Sequence, residues 1–134
     1  MIFVDTGAFL GRYLPDDQYH AAALAEWHFL AERNLTCCTS NLVLSETITL
    51  LARRASYEFA AEKARLIQAS TVLCILRPVA QDEIAAIAWL EKFADQRVSF
   101  TDAVSFALMK RHRIARAFTF DRHFELAGFK GLRR

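Results

Sequence analysis

The sequence is poor in the residues that mark several classes of protein. Of its 134 residues, four are glycine, two are proline and three are cysteine. Glycine and proline are too few for an all-β protein with many tight turns. The odd number of cysteines, two of them adjacent at Cys37 and Cys38, argues against a disulfide framework. Buried thiols in a cytoplasmic protein are the simpler interpretation.

Long apolar runs and a large excess of charge are also missing. No stretch of about 18 uncharged apolar residues predicts a membrane span, and the first residues lack the basic leader of a signal peptide. We therefore expect a cytoplasmic protein that makes no membrane contact. The 17 basic and 15 acidic side chains give a net charge of +2, which does not by itself indicate a nucleic-acid partner.

What the sequence does contain favours a helix-rich domain with a real core. Hydrophobic residues make up 54% of the chain, with 22 alanines and 11 phenylalanines. Apolar runs predict strands over 1–4, 35–39, 72–76 and 115–120, and helical spacing predicts helices over 20–34, 41–55, 57–69, 80–94 and 101–111. This alternation predicts one α/β domain over 1–134, built on a mainly parallel sheet.

Two acidic residues stand where predicted strands stop. Asp5 ends the first strand and Asp121 ends the last. Parallel strands bring their carboxyl ends to one edge of a sheet, where ligands bind in such folds. Both acids are therefore expected at the same edge, although each alone also fits an ordinary loop acid or helix cap.

Two further acids lie within predicted helices. Asp102 opens a helix, where helix capping and the helix dipole favour an acid, so alone it carries no functional weight. Glu46 is mid-helix, so capping does not explain it, and it interrupts an apolar face formed by Leu42, Val43 and Leu50. A carboxylate buried there needs a partner or a metal ion. An ion pair with Arg53 is the structural alternative.

Convergence of the four acids would create a site for a hard divalent cation. Four carboxylates at close range cannot all stay ionised without one, and Mg²⁺ and Mn²⁺ prefer oxygen ligands. Such ions suit phosphodiester hydrolysis, because they activate water and neutralise charge on the leaving oxygen. Setting these four aside leaves 17 basic against 11 acidic side chains. Basic residues cluster at 110–116 and at Lys130, Arg133 and Arg134. They either bind a phosphate backbone or are ordinary solvated residues at a helix end and at the end of the sequence.

Four blocks of the sequence, in this order and spacing, resemble the PIN-domain ribonucleases, specifically the VapC-type toxins. They are IFVDTGAF, TSNLVLSETITLLARR, SFTDAVSFALMKR and AFTFDRHFELAGF, and the resemblance runs from about residue 2 to 129. It implies a three-layer α/β/α sandwich with a central, mainly parallel sheet. The family's catalytic and metal-binding acids fall on Asp5, Glu46, Asp102 and Asp121, and its small hydroxyl residues fall on Thr6 and Thr101.

The resemblance also implies an activity and its partners. It predicts a Mg²⁺- or Mn²⁺-dependent endoribonuclease that cleaves RNA by in-line attack of an activated water. It further implies a homodimer that acts as the toxin of a toxin–antitoxin pair and is inhibited by a cognate antitoxin protein. Thr6 and Thr101 are candidates for contact with the substrate, as are Arg122 and His123 beside Asp121, although surface roles also explain the last two.

Other interpretations use fewer of these residues. Asp5-Thr6-Gly7 matches the aspartic protease signature, but that fold is all-β and leaves the other acids unused. A receiver-like signalling domain would need an acidic pair just after the first strand and a lysine at the end of a late strand, and this sequence has neither in place. The four histidines show no paired spacing for zinc. The main alternative is a non-enzymatic module of the same fold that binds RNA or protein and uses the acids as ion pairs.

Overall fold

A computed structural model describes residues 1–133 and places a five-stranded sheet at the centre of the molecule. All the strand pairs are parallel, in the order β3-β2-β1-β4-β5. The strands are β1 (Ile2–Val4), β2 (Cys37–Ser40), β3 (Leu73–Leu76), β4 (Arg116–Phe118) and β5 (Lys130–Gly131). Since every strand runs the same way, the residues that follow them meet at one edge.

Helices connect the strands and flank the sheet. They are α1 (Thr6–Tyr13), α2 (His20–Glu32), α3 (Asn41–Arg54), α4 (Tyr57–Ala69), α5 (Ala80–Lys92), α6 (Phe100–Arg111) and α7 (His123–Leu126), with a 3-10 turn at Ala94–Gln96. This arrangement confirms the predicted α/β sandwich, and the sheet is fully parallel within the described residues. Among residues 1–133, no helix is both long and apolar enough to cross a membrane.

Serine hydroxyls fix where three of these helices begin. Ser40 accepts a hydrogen bond from the Val43 amide, and Ser56 accepts one from Phe59. Ser99 accepts one from the amide of Asp102 at the start of α6. Each bond satisfies an amide that the helix itself leaves free. The caps therefore set the rotation at which α3 and α6 present their acids.

The core that supports the site is aromatic, as the phenylalanine content predicts. Five phenylalanines are almost completely buried: Phe3, Phe9, Phe106, Phe118 and Phe124. Trp27 of α2 packs against Phe9 and Phe118, and its indole nitrogen donates to the Ala8 carbonyl 3.0 Å away. This contact ties α1 and α2 to the central strands.

Most predicted elements are present, with shifts of a few residues at their ends. The last predicted strand stops at Phe118 instead of Phe120, so two residues separate it from Asp121. Helices α1 and α7 and strand β5 are additions to the predicted set. Helix α1 begins immediately after Asp5, so this acid is both a strand-end residue and the residue that precedes a helix.

Candidate active site

The structure brings all four predicted acids to one cleft. Asp5 follows β1 and Asp121 follows β4, while Glu46 and Asp102 project from α3 and α6. All four line a cleft of about 560 Å³. The carboxyl edge of a parallel sheet is the usual ligand position in folds of this type.

Asp5 is buried and is held by a residue of the neighbouring strand end. The hydroxyl of Thr119 donates to its Oδ2 at 2.8 Å. The same Thr119 oxygen accepts a hydrogen bond from the Asp121 amide at 3.0 Å. One neutral side chain therefore sets the spacing between the first and last acids.

Asp102, Asp121 and His123 form the tightest group in the cleft. One ligand atom of each lies within 4.8 Å of the others. His123 Nδ1 is 3.1 Å from Asp121 Oδ1 and 3.7 Å from Asp102 Oδ2, without the alignment of a hydrogen bond. The Asp121 Oδ1 also accepts the backbone amide of His123 at 2.9 Å. An imidazole nitrogen and two carboxylates are thus gathered around one small volume.

Burial and mutual repulsion make two of the acids hard to ionise. Desolvation raises the pKa of Asp102 to about 8, and the negative charges of Asp5 and Asp121 add to this effect. Desolvation also raises the pKa of Asp5 to about 6, although the Thr119 hydrogen bond opposes the shift. A nearby cation would reverse both shifts, because it favours the charged carboxylates.

Glu46 lines the acidic cleft, and Arg53 lies in an adjoining groove that Glu46 also lines. Among residues 1–133, no ion pair joins it to Arg53, the alternative partner considered from the sequence. Its charge contributes to the raised pKa values of Asp5 and Asp102. The interruption of the apolar face therefore places a carboxylate at the cleft.

The donor set fits a divalent cation. It consists mainly of carboxylate oxygens, the ligand type that Mg²⁺ and Mn²⁺ prefer. Arg54 lines the same cleft, but its guanidinium is bound to Asp17 at 2.8 Å and lies 3.7 Å from Asp16. The raised pKa values of Asp5 and Asp102 mark a place where positive charge is missing.

The structure separates the other predicted contact residues. Thr6 is buried at the cleft, and its hydroxyl has no hydrogen-bond partner within the described chain. Thr101 lies in an adjoining groove that it shares with Glu46. Arg122 is exposed and lines a different groove, beside α2. Of the predicted contact residues, Thr6 and His123 are the ones that line the acidic cleft.

The basic residues at 110–116 lie at the other end of α6. Arg111 comes nine residues after Asp102, about 14 Å along a helix. Arg111 forms two hydrogen bonds with buried Asp82, and Arg116 donates to the Gly131 carbonyl. Two of these cations thus have structural partners. Of the chain-end basic residues, Arg133 bonds to Glu26, and Arg134 is outside the described residues.

Two cleft features were not predicted from the sequence. Thr119 contacts two acids, and its position two residues before Asp121 is the only trace it leaves in the sequence. Tyr19 and Phe120 form a stacked pair at the cleft. Both come from connecting segments, where no periodicity marks a residue as functional.

Comparison with known proteins identifies the family. The PIN domain matches residues 2–130 of the chain. The chain belongs to the PIN-domain family. It is 39% identical over 133 residues to the 23S rRNA-specific endonuclease VapC20 of Mycobacterium tuberculosis, in both strain CDC 1551 / Oshkosh and strain ATCC 25618 / H37Rv. Each alignment covers 99% of this chain and 98% of the relative.

Solved structures of similar proteins show the same fold. The crystal structure of M. tuberculosis VapC20, described as a sarcin–ricin loop cleaving toxin, superposes with a TM-score of 0.87 at 37% identity. The match covers 96% of each chain. VapBC2 from Rickettsia felis, solved with a DNA fragment from its promoter, has a TM-score of 0.70 at 16% identity. That match covers 98% of this chain and 97% of the other, and it shows the fold alone. The predicted PIN-domain resemblance is confirmed.

Proposed function

We propose that this protein is a divalent-metal-dependent endoribonuclease, with residues 1–134 acting as a single PIN-like domain. The observation that carries the proposal is the convergence of four acids from four elements in one cleft. Burial and mutual repulsion disfavour the ionisation of Asp5 and Asp102 in the absence of a cation. A module that used these acids as structural ion pairs would provide them with basic partners, and Glu46 has none in residues 1–133.

In this proposal the acids hold the metal and the attacking water. Asp5, Asp102 and Asp121 bind the ion, which is Mg²⁺ or Mn²⁺. Such an ion lowers the pKa of water and neutralises the charge that builds on the phosphate and the leaving 3′ oxygen. Glu46 is a further ligand or orients the water for in-line attack. The Thr119 hydrogen bond keeps the Asp5 carboxylate in place.

Substrate contacts are assigned to polar groups near the acids. Thr6 and His123 line the cleft, and we assign them contacts with the phosphate or the leaving group. Thr101 and Arg122 lie in the adjoining grooves, where the RNA strand would continue on either side.

We further propose that the RNA is 23S ribosomal RNA and that cleavage falls in the sarcin–ricin loop. This assignment is supported by the relatives, since VapC20 is named for 23S rRNA and described as cleaving that loop. Because the alignment covers nearly all of both chains, the comparison is between whole domains rather than fragments. In this role the protein is the cytoplasmic toxin of a toxin–antitoxin pair, acts as a homodimer and is inhibited by a cognate antitoxin protein.

The test is to express the chain in a bacterial host beside its Asp5→Asn variant and to map RNA 5′ ends within minutes. We expect growth arrest and a discrete new end in the 23S sarcin–ricin loop, both absent in the variant. New 5′ ends in transfer or messenger RNA would support the proposed nuclease activity but contradict 23S ribosomal RNA as its substrate. No arrest and no new ends, with both proteins folded, would favour the non-enzymatic module.

Purified protein separates the metal requirement from effects in the cell. Cleavage of 23S rRNA should require Mg²⁺ or Mn²⁺ and stop with EDTA. Restoration by one ion and not the other would identify the metal. Cleavage that is insensitive to EDTA would contradict the proposed role of the acids.

A further inference from the structure

Tyr19 and Phe120 form a flat aromatic pair at the rim of the acidic cleft. Their ring centroids are 4.4 Å apart and the rings are parallel to within 1°. Both residues line the cleft that contains the four acids. Tyr19 remains 39% exposed, although one face of its ring is covered by Phe120. An aromatic surface is therefore presented to solvent beside the proposed reaction centre.

The pair is held in place from both sides. The Tyr19 amide donates to Asp17 Oδ2 at 3.0 Å, and Asp17 is bound in turn by Arg54 of α3 at 2.8 Å. Phe120 packs edge-on against buried Phe118 at 6.0 Å. The pair is therefore attached to both the core and a neighbouring helix, so little conformational freedom is lost when a ligand binds to it.

The chemistry of this surface favours an unpaired nucleobase. Single-stranded RNA is bound through bases that stack on aromatic side chains, which tolerate any base because each has a π face. The surroundings are polar, since Asp17, Arg54 and Arg97 line the same cleft. A planar ring in a polar cleft suits a base better than the aliphatic side chain of a bound peptide.

We propose that Tyr19, supported by Phe120, stacks on an unpaired base next to the phosphate that is cleaved. The inference rests on the proposed ribonuclease function and adds a positioning residue to it. Stacking holds the nucleotide while the acids act on its phosphate. It also requires that the base be unpaired or flipped out, so the enzyme selects loops over continuous helices.

The test uses a hairpin RNA that spans the cleavage site found by 5′-end mapping, together with versions that carry one abasic nucleotide on either side of that site. Wild type is compared with Tyr19→Leu, which keeps an apolar side chain but removes the ring, and with Tyr19→Phe, which keeps the ring. Tyr57→Leu is the matched control, because Tyr57 is 78% exposed at the start of α4 and is not among the residues that line the cleft.

We expect kcat/KM to fall about 5- to 150-fold in Tyr19→Leu, the range that loss of one stacked base produces. Tyr19→Phe and Tyr57→Leu should stay within about twofold of wild type. One abasic RNA should reduce cleavage by wild type by a similar factor and have little further effect on Tyr19→Leu. If the effects of Tyr19→Leu and of the abasic nucleotide are not additive, the Tyr19 ring and that base contact each other. A merely structural role of Tyr19 would instead lower cleavage of every RNA by the same factor, so the two losses would add.

Other outcomes distinguish failure of the stacking proposal from failure of the proposed ribonuclease function. Full activity of Tyr19→Leu, with Asp5→Asn inactive in the same assay, would overturn the stacking proposal and leave the nuclease intact. Normal cleavage by Tyr19→Leu with loss of inhibition by the antitoxin would show that the pair contacts protein instead. If wild type cleaves no RNA, both proposals are wrong.

Discussion

Thr119 shows at the residue scale how a neutral hydroxyl organises charged groups. It donates to the Asp5 carboxylate and accepts from the Asp121 amide, so it links the ends of β1 and β4. Its hydrogen bond to the ionised form of Asp5 opposes the effect of burial on the pKa of that acid. The residue therefore favours the charged state that a cation requires.

Replacing Thr119 by valine keeps its shape and removes the hydroxyl. We expect RNA cleavage to fall by about 10- to 100-fold, the usual effect of losing a hydrogen bond to a metal ligand. The free energy of unfolding should fall by about 1–3 kcal/mol, because a buried amide and carboxylate each lose a partner. Cleavage rates and urea unfolding measure the two effects. Thr71→Val, at an exposed threonine remote from the acids, is the control and should change neither.

The acids themselves predict an unusual response of stability to pH. The pKa of Asp102 is raised from 3.8 to about 8 in the folded chain, so the folded state binds this proton more tightly than the unfolded state does. The metal-free protein should therefore lose stability as pH rises from about 4 to about 8. Asp5, with a pKa of about 6, contributes over the lower part of this range.

Thermal unfolding in EDTA at pH 5 and at pH 8.5 measures this effect. We expect a lower Tm at pH 8.5 for wild type and a much smaller difference for Asp102→Asn, which cannot ionise. Mn²⁺ should raise the Tm more at pH 8.5, where the carboxylates are charged. Equal pH dependence in both proteins would show that other groups dominate.

Sequence reasoning predicts the acids better than it predicts their neighbours. Asp5 and Asp121 follow buried strands, and Glu46 interrupts an apolar helix face, so each leaves a local pattern. Thr119 and Tyr19 leave none, because their roles depend on contacts with residues 114 and 101 positions away. Such contacts appear only when the chain is folded.

At the scale of elements, the crossing of α1 and α2 depends on one glycine. A methyl group at Gly11 would lie 2.7 Å from the Ala23 Cβ and 3.3 Å from the Tyr19 carbonyl oxygen. His20 also contacts this point, with its Nδ1 2.7 Å from the Gly11 carbonyl oxygen. The two helices therefore approach closely at the segment that positions Tyr19.

Gly11→Ala should force these helices apart. We expect the free energy of unfolding to fall by about 1–3 kcal/mol, the usual cost of overpacking. Cleavage should also fall, because Tyr19 moves. Gly7→Ala in the same helix is the matched control for stability, since its methyl group would meet Phe120 at an ordinary 3.6 Å. Equal Tm values for the two variants, measured by circular dichroism, would contradict the expected clash.

The ion pair between α5 and α6 is the second element-level contact. Buried Asp82 accepts two hydrogen bonds from Arg111 and one from the Val79 amide. The Arg111 hydrogen bond is the main cause of a lowered pKa for Asp82. Since the folded state favours the charged carboxylate, the stability from this pair is present at neutral pH and is lost as pH falls below about 4.

Arg111→Met should lower the Tm at pH 7 and have a smaller effect at pH 3, where Asp82 becomes protonated. Nuclease activity should stay close to wild type, because the pair lies at the opposite end of α6 from Asp102. Arg113→Met, at a neighbouring exposed arginine, is the control. A loss of cleavage in Arg111→Met without a change in Tm would instead assign this basic end to RNA binding.

The elements that the sequence failed to predict have physical reasons for their weak signals. Helix α1 has eight residues and includes Gly7 and Gly11, both poor helix formers. Strand β5 has two residues, too few for any alternation. Both are stabilised by tertiary contacts rather than by local preference, and neither changes the predicted class of fold.

At the scale of the whole molecule, the strand order determines which parts of the chain meet at the cleft. The central strand β1 pairs with β2 on one side and with β4 on the other. The four acids therefore come from four segments distributed between residues 5 and 121. The sequence predicts the strands and predicts that the acids lie at the carboxyl edge of the sheet. The order in which the strands pair depends on how all the helices pack, which the sequence pattern does not show.

This pairing order also has a kinetic consequence. Val4 pairs with Phe118, and closing a loop of that length must precede any gain from the contact. Helices α3 to α6 can form earlier from nearby residues. We therefore expect the pairing of β4 with β1 to form late, so that during refolding from urea the recovery of cleavage does not precede the recovery of the circular dichroism signal.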